Sequence, residues 1–330
     1  IIKMKNTNTA FLASLLLTLG VVSGAQAQTD TASWPSKSIR WVIPFPPGGA
    51  IDVIARAVGE SAGKTIGQAF VIDNRPGAGG NIASAAVAKS PADGYTLILL
   101  TGGHAVSAAV YSKLAFNPID DFEWISLVTQ FPFAVSVSSE SKFKTLSDVI
   151  AAAKAAPDTI SYTSVGIGST QHLSGELFAS MAGVRMTHVP YKGGAGPLQD
   201  VLGGRVDVMF DSITVTKSQV EAGKLRALGV TSLKPYKLLP GVPPVADTIP
   251  GYEVTSWTGL AAPKGTSPEV QKRLHAALLK VLADPEVIAK LENTGGLVTP
   301  SSSGNQMKQF VSGQIAKWKK VLATAGIAQQ

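Results

Sequence analysis

Short apolar runs and helical stripes alternate along most of this chain. Trp41-Val42-Ile43 reads as a strand, and Ile51, Ile54, Ala55 and Val58 then recur on one helical face. Phe70-Val71-Ile72 is a second strand and Asn81 to Ser90 a small-residue helix. Tyr95 to Leu100 is a third strand, entered through an Asp93-Gly94 turn. The alternation then resumes. Phe133 to Val137 reads as a strand, Leu146 to Ala156 as a helix stopped by Pro157, and Ile160 to Thr163 as a strand. A helix with Leu173, Leu177 and Met181 on one face follows. Pro197 opens another, closed by Gly203-Gly204, and Val206 to Phe210 and Leu225 to Val230 are strands.

This alternation predicts an α/β architecture. A Pro-rich stretch from Pro240 to Pro250 and a strand from Thr255 to Ala261 end it, and only helices are expected afterwards. One is capped by Ser267 and opened by Pro268, with Val270, Leu274, Ala277, Leu278 and Val281 as its stripe. The other carries Met307, Val311, Ile315, Trp318 and Leu322. A helical tail without a sheet of its own is expected to return and cover the first unit. The expected division is a discontinuous first domain, residues 28–132 plus 256–330, and a second domain, residues 133–255. The chain would cross between them near residues 131–135 and 252–258.

The first 27 residues stand apart. Met4-Lys5 gives a basic start, Ala10 to Val22 is apolar, and Ala25-Gln26-Ala27 fits a small-x-small cleavage site, the pattern of a secretory signal peptide. The apolar run is shorter than the ~20 residues that span a bilayer. About 300 residues follow it, a length that favours two domains over one. The whole chain carries a formal charge of +7, spread without a Lys/Arg run or interleaved aromatics. That spacing argues against nucleic acid as a partner. There is no cysteine, which excludes disulfides, thiol catalysis and thiolate metal sites.

Two segments share one construction. Ile43-Pro44-Phe45-Pro46-Pro47-Gly48-Gly49-Ala50-Ile51-Asp52 and Ser164-Val165-Gly166-Ile167-Gly168-Ser169-Thr170-Gln171-His172 each pass from a strand through a Gly-rich turn into a helix. The first turn of a helix leaves its N–H groups unpaired and carries the positive end of the dipole, so it attracts anions. Two such turns, about 120 residues apart, suggest two lobes closing on one anionic ligand. Asp52 can interact with the dipole of its own helix. Ser169 or Thr170 can cap theirs or face a ligand, and His172 can donate to a carboxylate. Thr101 to His104 and Asp211-Ser212 end strands, where open α/β sheets place ligand contacts. Phe131 and Phe133 can wall a cleft or pack a hinge, and Arg75 can bind an anion or face solvent.

Enzymatic readings find little. There is no G-x-S-x-G elbow. Gly77 to Ile82 lacks the third glycine of a dinucleotide fingerprint, and Gly193 to Leu198 lacks the G-K-[ST] of a P-loop. The four histidines show no metal-ligand spacing. A hydrolase built on Ser169 and His172 would need a third orienting group.

Five ordered motifs complete the picture: Pro44 to Gly49 with Asp52; Asn74-Arg75-Pro76-Gly77-Ala78-Gly79-Gly80; Asp93-Gly94-Tyr95-Thr96-Leu97; Gly168-Ser169 through His172-Leu173; and Val189-Pro190-Tyr191-Lys192-Gly193. From Trp34 to Ile327 the chain resembles the substrate-binding receptors of tripartite tricarboxylate transporters, the Bug receptors. The resemblance implies a type II periplasmic-binding-protein fold: two lobes, each a mixed sheet flanked by helices, joined by two hinge crossings. It also implies a receptor rather than an enzyme, which holds a small organic carboxylate in the periplasm through backbone groups and ordered waters and delivers it to membrane permease subunits. A monomer without cofactor or metal is expected. A ligand-presenting partner of a histidine kinase is the alternative. The expected ligand contacts are Phe45, Gly48, Gly49, Ala50, Ile51 and Asp52 on one jaw, with Thr101 and His104 beside them. Ser164, Gly166, Gly168, Ser169, Thr170 and His172 form the other jaw, and Asp211 and Ser212 the floor. Ile51 stands where the family commonly has Thr or Ser, and Ser212 where Asn is frequent, which leans the expected ligand towards an apolar or aromatic body.

Overall fold

The computed structural model describes residues 33–330 apart from residues 194, 294, 326 and 330. The expected signal peptide lies outside the described residues. The remaining chain is a mixed α/β structure in which two sheets share one long strand. In the first, β1 (Ile39–Ile43) lies parallel to both β2 (Phe70–Asn74) and β3 (Thr96–Thr101). Antiparallel pairs then join β3 to β9 (Thr255–Pro263), and β9 to β4 (Phe122–Ser138).

Strand β4 makes the second sheet possible. Its pairing with β9 runs from Phe122 to Pro132, and at Phe133 it takes new partners. From there it lies between β7 (Val208–Ser212) and β8 (Leu225–Val230), both antiparallel to it. β5 (Ser161–Ser164) continues parallel to β7, and β6 (Thr187–Pro190) parallel to β5. Alternation predicts only the second half of β4, because a proline inside an apolar run argues against a central strand. Here Pro132 sits where one ladder ends and the next begins, the position in which a missing N–H costs least.

The helices follow their stripes. α1 (Ala50–Ile66) buries Ile54, Ala55 and Val58 and ends on Gly67, whose φ of 83° is the left-handed cap that glycine favours. α8 (Pro268–Leu282) packs its stripe into the same core as Trp41, Ile54 and Leu97. Thus the tail returns to the first sheet. It is not purely helical: after α9 (Pro285–Asn293), the two-residue strand β10 (Leu297–Val298) pairs with Thr129 and Gln130 of β4. Such a strand is too short to leave a periodic signal. α10 (Gly304–Ala325) closes the opposite face with Met307, Val311, Trp318 and Leu322 in a core that also takes in Ala105, Phe133, Phe178 and Phe210. Met181, expected on the buried stripe of α5 (Thr170–Ala182), is 40% exposed, since the last turn of that helix passes the edge of the core.

Candidate functional site

Four helices begin at one cavity. α1 starts after Gly49, α3 (Gly102–Val110) after Thr101, α5 after Ser169 and α7 (Ile213–Glu221) after Ser212. Gly49, Thr101, Ser169 and Ser212 all line one cavity, joined there by Ala50, Ile51, Gly103, Thr170 and Gln171 from the first turns. α1 and α3 follow strands of the first sheet; α5 and α7 follow strands of the second. Each strand's carboxyl end therefore delivers one helix start to the same space.

Three of these four starts are left open. Gly49, Thr101 and Ser212 make no side-chain cap, whereas Thr145 and Ser267 cap α4 (Leu146–Ala155) and α8 elsewhere in the chain. Only α5 is capped at the cavity, its Ser169 Oγ accepting the His172 N–H at 3.2 Å. An uncapped first turn presents N–H donors and the positive dipole end to whatever lies beyond. Phe45, Ile51, Phe131, Phe133, Val165 and Val215 form the apolar part of the wall, and Ser256 completes the polar part. Among the described residues no Lys, Arg or His lines the cavity, and Asp211 is the one ionisable side chain there.

Asp211 is the penultimate residue of β7 and is 6% exposed. Its Oδ1 accepts the Ser212 N–H at 2.7 Å and the Gln171 side-chain amide at 3.5 Å. Burial raises its pKa from 3.8 to about 6, against the pull of these bonds. The Ser212 hydroxyl beside it is buried without a hydrogen-bond partner.

Of the sixteen expected ligand contacts, Phe45, Gly49, Ala50, Ile51, Thr101, Ser169, Thr170, Asp211 and Ser212 line the cavity, and seven do not. Asp52 turns inward instead: Arg56 donates to it twice, at 2.8 and 3.0 Å, and the Asn74 amide and Gly48 N–H donate at 3.1 and 3.0 Å. Burial pushes that carboxyl up, but these donors outweigh it and hold it below its usual value. Gly48 thus spends its N–H on Asp52 and shapes the loop. His104 points into an aromatic cluster, 5.5 Å from Phe116 and 5.4 Å from Phe122, with Nε2 2.7 Å from the Pro118 carbonyl. Burial lowers its pKa to about 4.

Ser164, Gly166, Gly168 and His172 build the second loop from behind. The His172 ring stacks on His188 at 4.1 Å, and its Nδ1 accepts the Gly168 N–H at 3.4 Å. His188 Nε2 meets Ser164 Oγ at 2.7 Å, and that oxygen accepts the Gly166 N–H at 3.1 Å. Burial lowers both histidines, and His188 falls to about 3 beside His172. Accepting from Gly168 requires a neutral His172, so the two findings agree. The Ser169 hydroxyl engages the His172 main chain, not its ring, so no Ser–His nucleophile forms there. Arg75 pairs with Asp73 at 2.8 Å.

The two loop systems touch. Ser107 Oγ on α3 donates to the Gly168 carbonyl at 3.3 Å, and Tyr111 Oη to the Ile167 carbonyl at 3.5 Å. A Cβ on Gly79 would lie 2.9 Å from the Ile167 carbonyl, and one on Gly193 2.8 Å from Pro46. Glycine is needed at both positions for this approach.

The chain matches the tripartite tricarboxylate transporter family receptor, TctC, over residues 54–327. It belongs to that family. Its structure is similar to that of the periplasmic binding protein BugD, with a TM-score of 0.86 and 33% identity over 90% of this chain and all of that one. It is also similar to Rpa4515 of R. palustris with adipate, at 0.85 and 39% identity over 89% of this chain and 99% of that one. A third likeness is to MatC (Rpa3494) of Rhodopseudomonas palustris with bound malate, at 0.83 and 32% identity over 88% of this chain and all of that one. The family consists of receptors, not enzymes, and two of these neighbours hold carboxylates. Among the described residues no helix is long and apolar enough to cross a membrane.

Gln171, Val165, Gly193, Val215 and Ser256 also line the cavity, and sequence reasoning missed them. Val165 and Gln171 lie inside the second Gly-rich segment and were within its reach. Ser256 and Val215 come from a different strand and from the first turn of α7, and no local pattern marks them.

Proposed function

We propose that this chain is an exported, periplasmic solute receptor that captures a small organic carboxylate between two lobes and delivers it to the membrane permease of a tripartite tricarboxylate-type transporter. The lobes are residues 28–132 plus 256–330, and residues 133–255, with the hinge where β4 changes partners and where the chain enters β9. One observation carries the reading: four helix starts, two from each sheet, converge on a cavity that no cationic side chain lines among the described residues. Three or four charge-assisted hydrogen bonds, each contributing roughly 1.5–3 kcal/mol, give the site about 5–12 kcal/mol to set against association costs. Adipate and malate in the neighbours fit the same chemistry.

The test is a thermal-shift and calorimetric screen of the purified protein against mono- and dicarboxylates and their primary amides. A ligand that binds only the native state raises the melting temperature by mass action. At least one carboxylate should shift the melting temperature and its amide should not. Equal shifts from acid and amide would refute carboxylate capture. Loss of uptake of that carboxylate on deleting either the receptor or its permease is the expected result for transport.

A further inference from the structure

The cavity wall holds a charge that carboxylate capture leaves unanswered. Asp211 is the one ionisable side chain there, and among the described residues it forms no ion pair. One of its oxygens is held by the Ser212 N–H and, at longer range, by Gln171. Next to it the Ser212 hydroxyl is 3% exposed as a residue, lines the same cavity and has no partner of its own. A buried carboxylate without a cation and a buried hydroxyl without a partner both lower the stability of the empty protein. They lie side by side, and both lie on the wall.

We propose that the ligand is an amino-carboxylate, its carboxylate held at the open starts of α1 and α3 and the neighbouring first turn of α5, and its ammonium seated on Asp211 and the Ser212 hydroxyl. This rests on the carboxylate reading above and adds the second end of the ligand. An ammonium has three N–H donors. Asp211 and Ser212 Oγ supply acceptors for it, and the apolar wall of Phe131, Phe133 and Val215 suits a short methylene chain between the two ends. A dicarboxylate would instead set a second negative charge against Asp211 in a site with no cation to separate them. The zwitterion brings its own counter-charge, so the occupied cavity keeps only the single negative charge of Asp211, whereas a dicarboxylate would add two more. The bond from the Ser212 N–H already turns one Asp211 oxygen towards the start of α7 and blunts that helix end, which would otherwise repel an ammonium.

Charged groups elsewhere do not complicate the site. Gln171 from α5, Ala134 across the β4 ladder and Ser212 face Asp211, and its ionisation responds only to burial and to hydrogen bonds from Ser212 and Gln171. The α5 histidine, His172, stacks on His188.

The test compares length-matched ligands by calorimetry at neutral pH: γ-aminobutyrate against succinate, δ-aminovalerate against glutarate, and glutamate alongside. The amino-carboxylate of at least one pair should bind about tenfold or more tightly than its dicarboxylate, the scale of one charge-assisted bond. Asp211→Asn should erase that preference by weakening the amino-carboxylate while leaving the dicarboxylate equal or tighter. Ser212→Ala should weaken the amino-carboxylate alone, by a smaller factor. Lowering the pH through 6 should weaken the amino-carboxylate in the native protein, as Asp211 takes a proton. Tighter dicarboxylate binding with proton uptake, or equal losses for both series in Asp211→Asn, would overturn the ammonium assignment and leave carboxylate capture standing. Failure of every carboxylate to bind folded protein would remove both.

Discussion

Asp211 shows at a single residue how a binding site costs stability. A carboxyl raised from 3.8 to about 6 binds its proton more tightly in the folded chain than in the unfolded one. Stability therefore falls as pH rises from 4 to 6, and above 6 the full cost, up to about 3 kcal/mol, persists. Asp211→Asn is expected to raise the melting temperature of the ligand-free protein at pH 7.5, with the gain shrinking as pH falls towards 4. An unchanged or lower melting temperature at pH 7.5 would mean that the carboxylate supports the fold. The buried histidines act with the opposite sign. His104 falls to about 4 and His188 to about 3, so below pH 6.5 the unfolded chain takes up protons that the folded chain refuses. His104 alone is expected to remove up to about 3 kcal/mol between pH 6.5 and 4, measurable as a falling urea midpoint; a flat midpoint across that window would contradict it.

At the scale of elements, the second Gly-rich loop is a contact as much as a cradle. Gly168 has φ of 76°, and a Cβ there would lie 2.8 Å from the Tyr111 ring. Gly168→Val should fold with a loss of roughly 1–2 kcal/mol from backbone strain and lose ligand binding, because the added side chain holds α3 away from the loop. Retained calorimetric affinity in the folded variant would rule this out. Ser107 and Tyr111 offer a finer measurement. Neither lines the cavity, yet each donates to a carbonyl of the loop. Ser107→Ala combined with Tyr111→Phe should weaken binding by about five- to thirtyfold, the worth of one or two hydrogen bonds of ~1 kcal/mol, by making the closed arrangement less populated. An unaltered affinity would show that these bonds form only after the ligand is secured.

At the scale of the whole molecule, the strand order explains why one cavity can gather four helix starts. β4 belongs to both sheets, so the carboxyl ends of β1 and β3 in one and of β5 and β7 in the other face each other across it. On the proposed reading, closure is a shift in population that the ligand drives by bonding both halves at once. Small-angle scattering should show a smaller radius of gyration with saturating ligand than without; identical curves would argue for a rigid cavity.

Much of this was legible in the chain before folding. The stripe of Ile54, Ala55 and Val58, the Gly-rich entries to α1 and α5, and the helical return of Val270 to Val281 follow from local periodicity and turn chemistry, which neighbouring residues decide between themselves. The roles of Asp52, His104 and His172 were not legible. An acid in a first helical turn looks the same whether it meets a ligand or the partner Arg56, and a histidine after a strand looks the same whether it faces a cleft or Phe116. The choice depends on which distant side chains the fold brings alongside. The amino-acid sequence by itself determined the elements, the two open loops and the family, because spacing and backbone conformation are local properties. Only the tertiary structure decided that four helix starts share one cavity, that among the described residues no cation lines it, and that an Asp211 without an ion pair meets a Ser212 hydroxyl without a partner there, because those facts arise between segments joined only through β4 and β9.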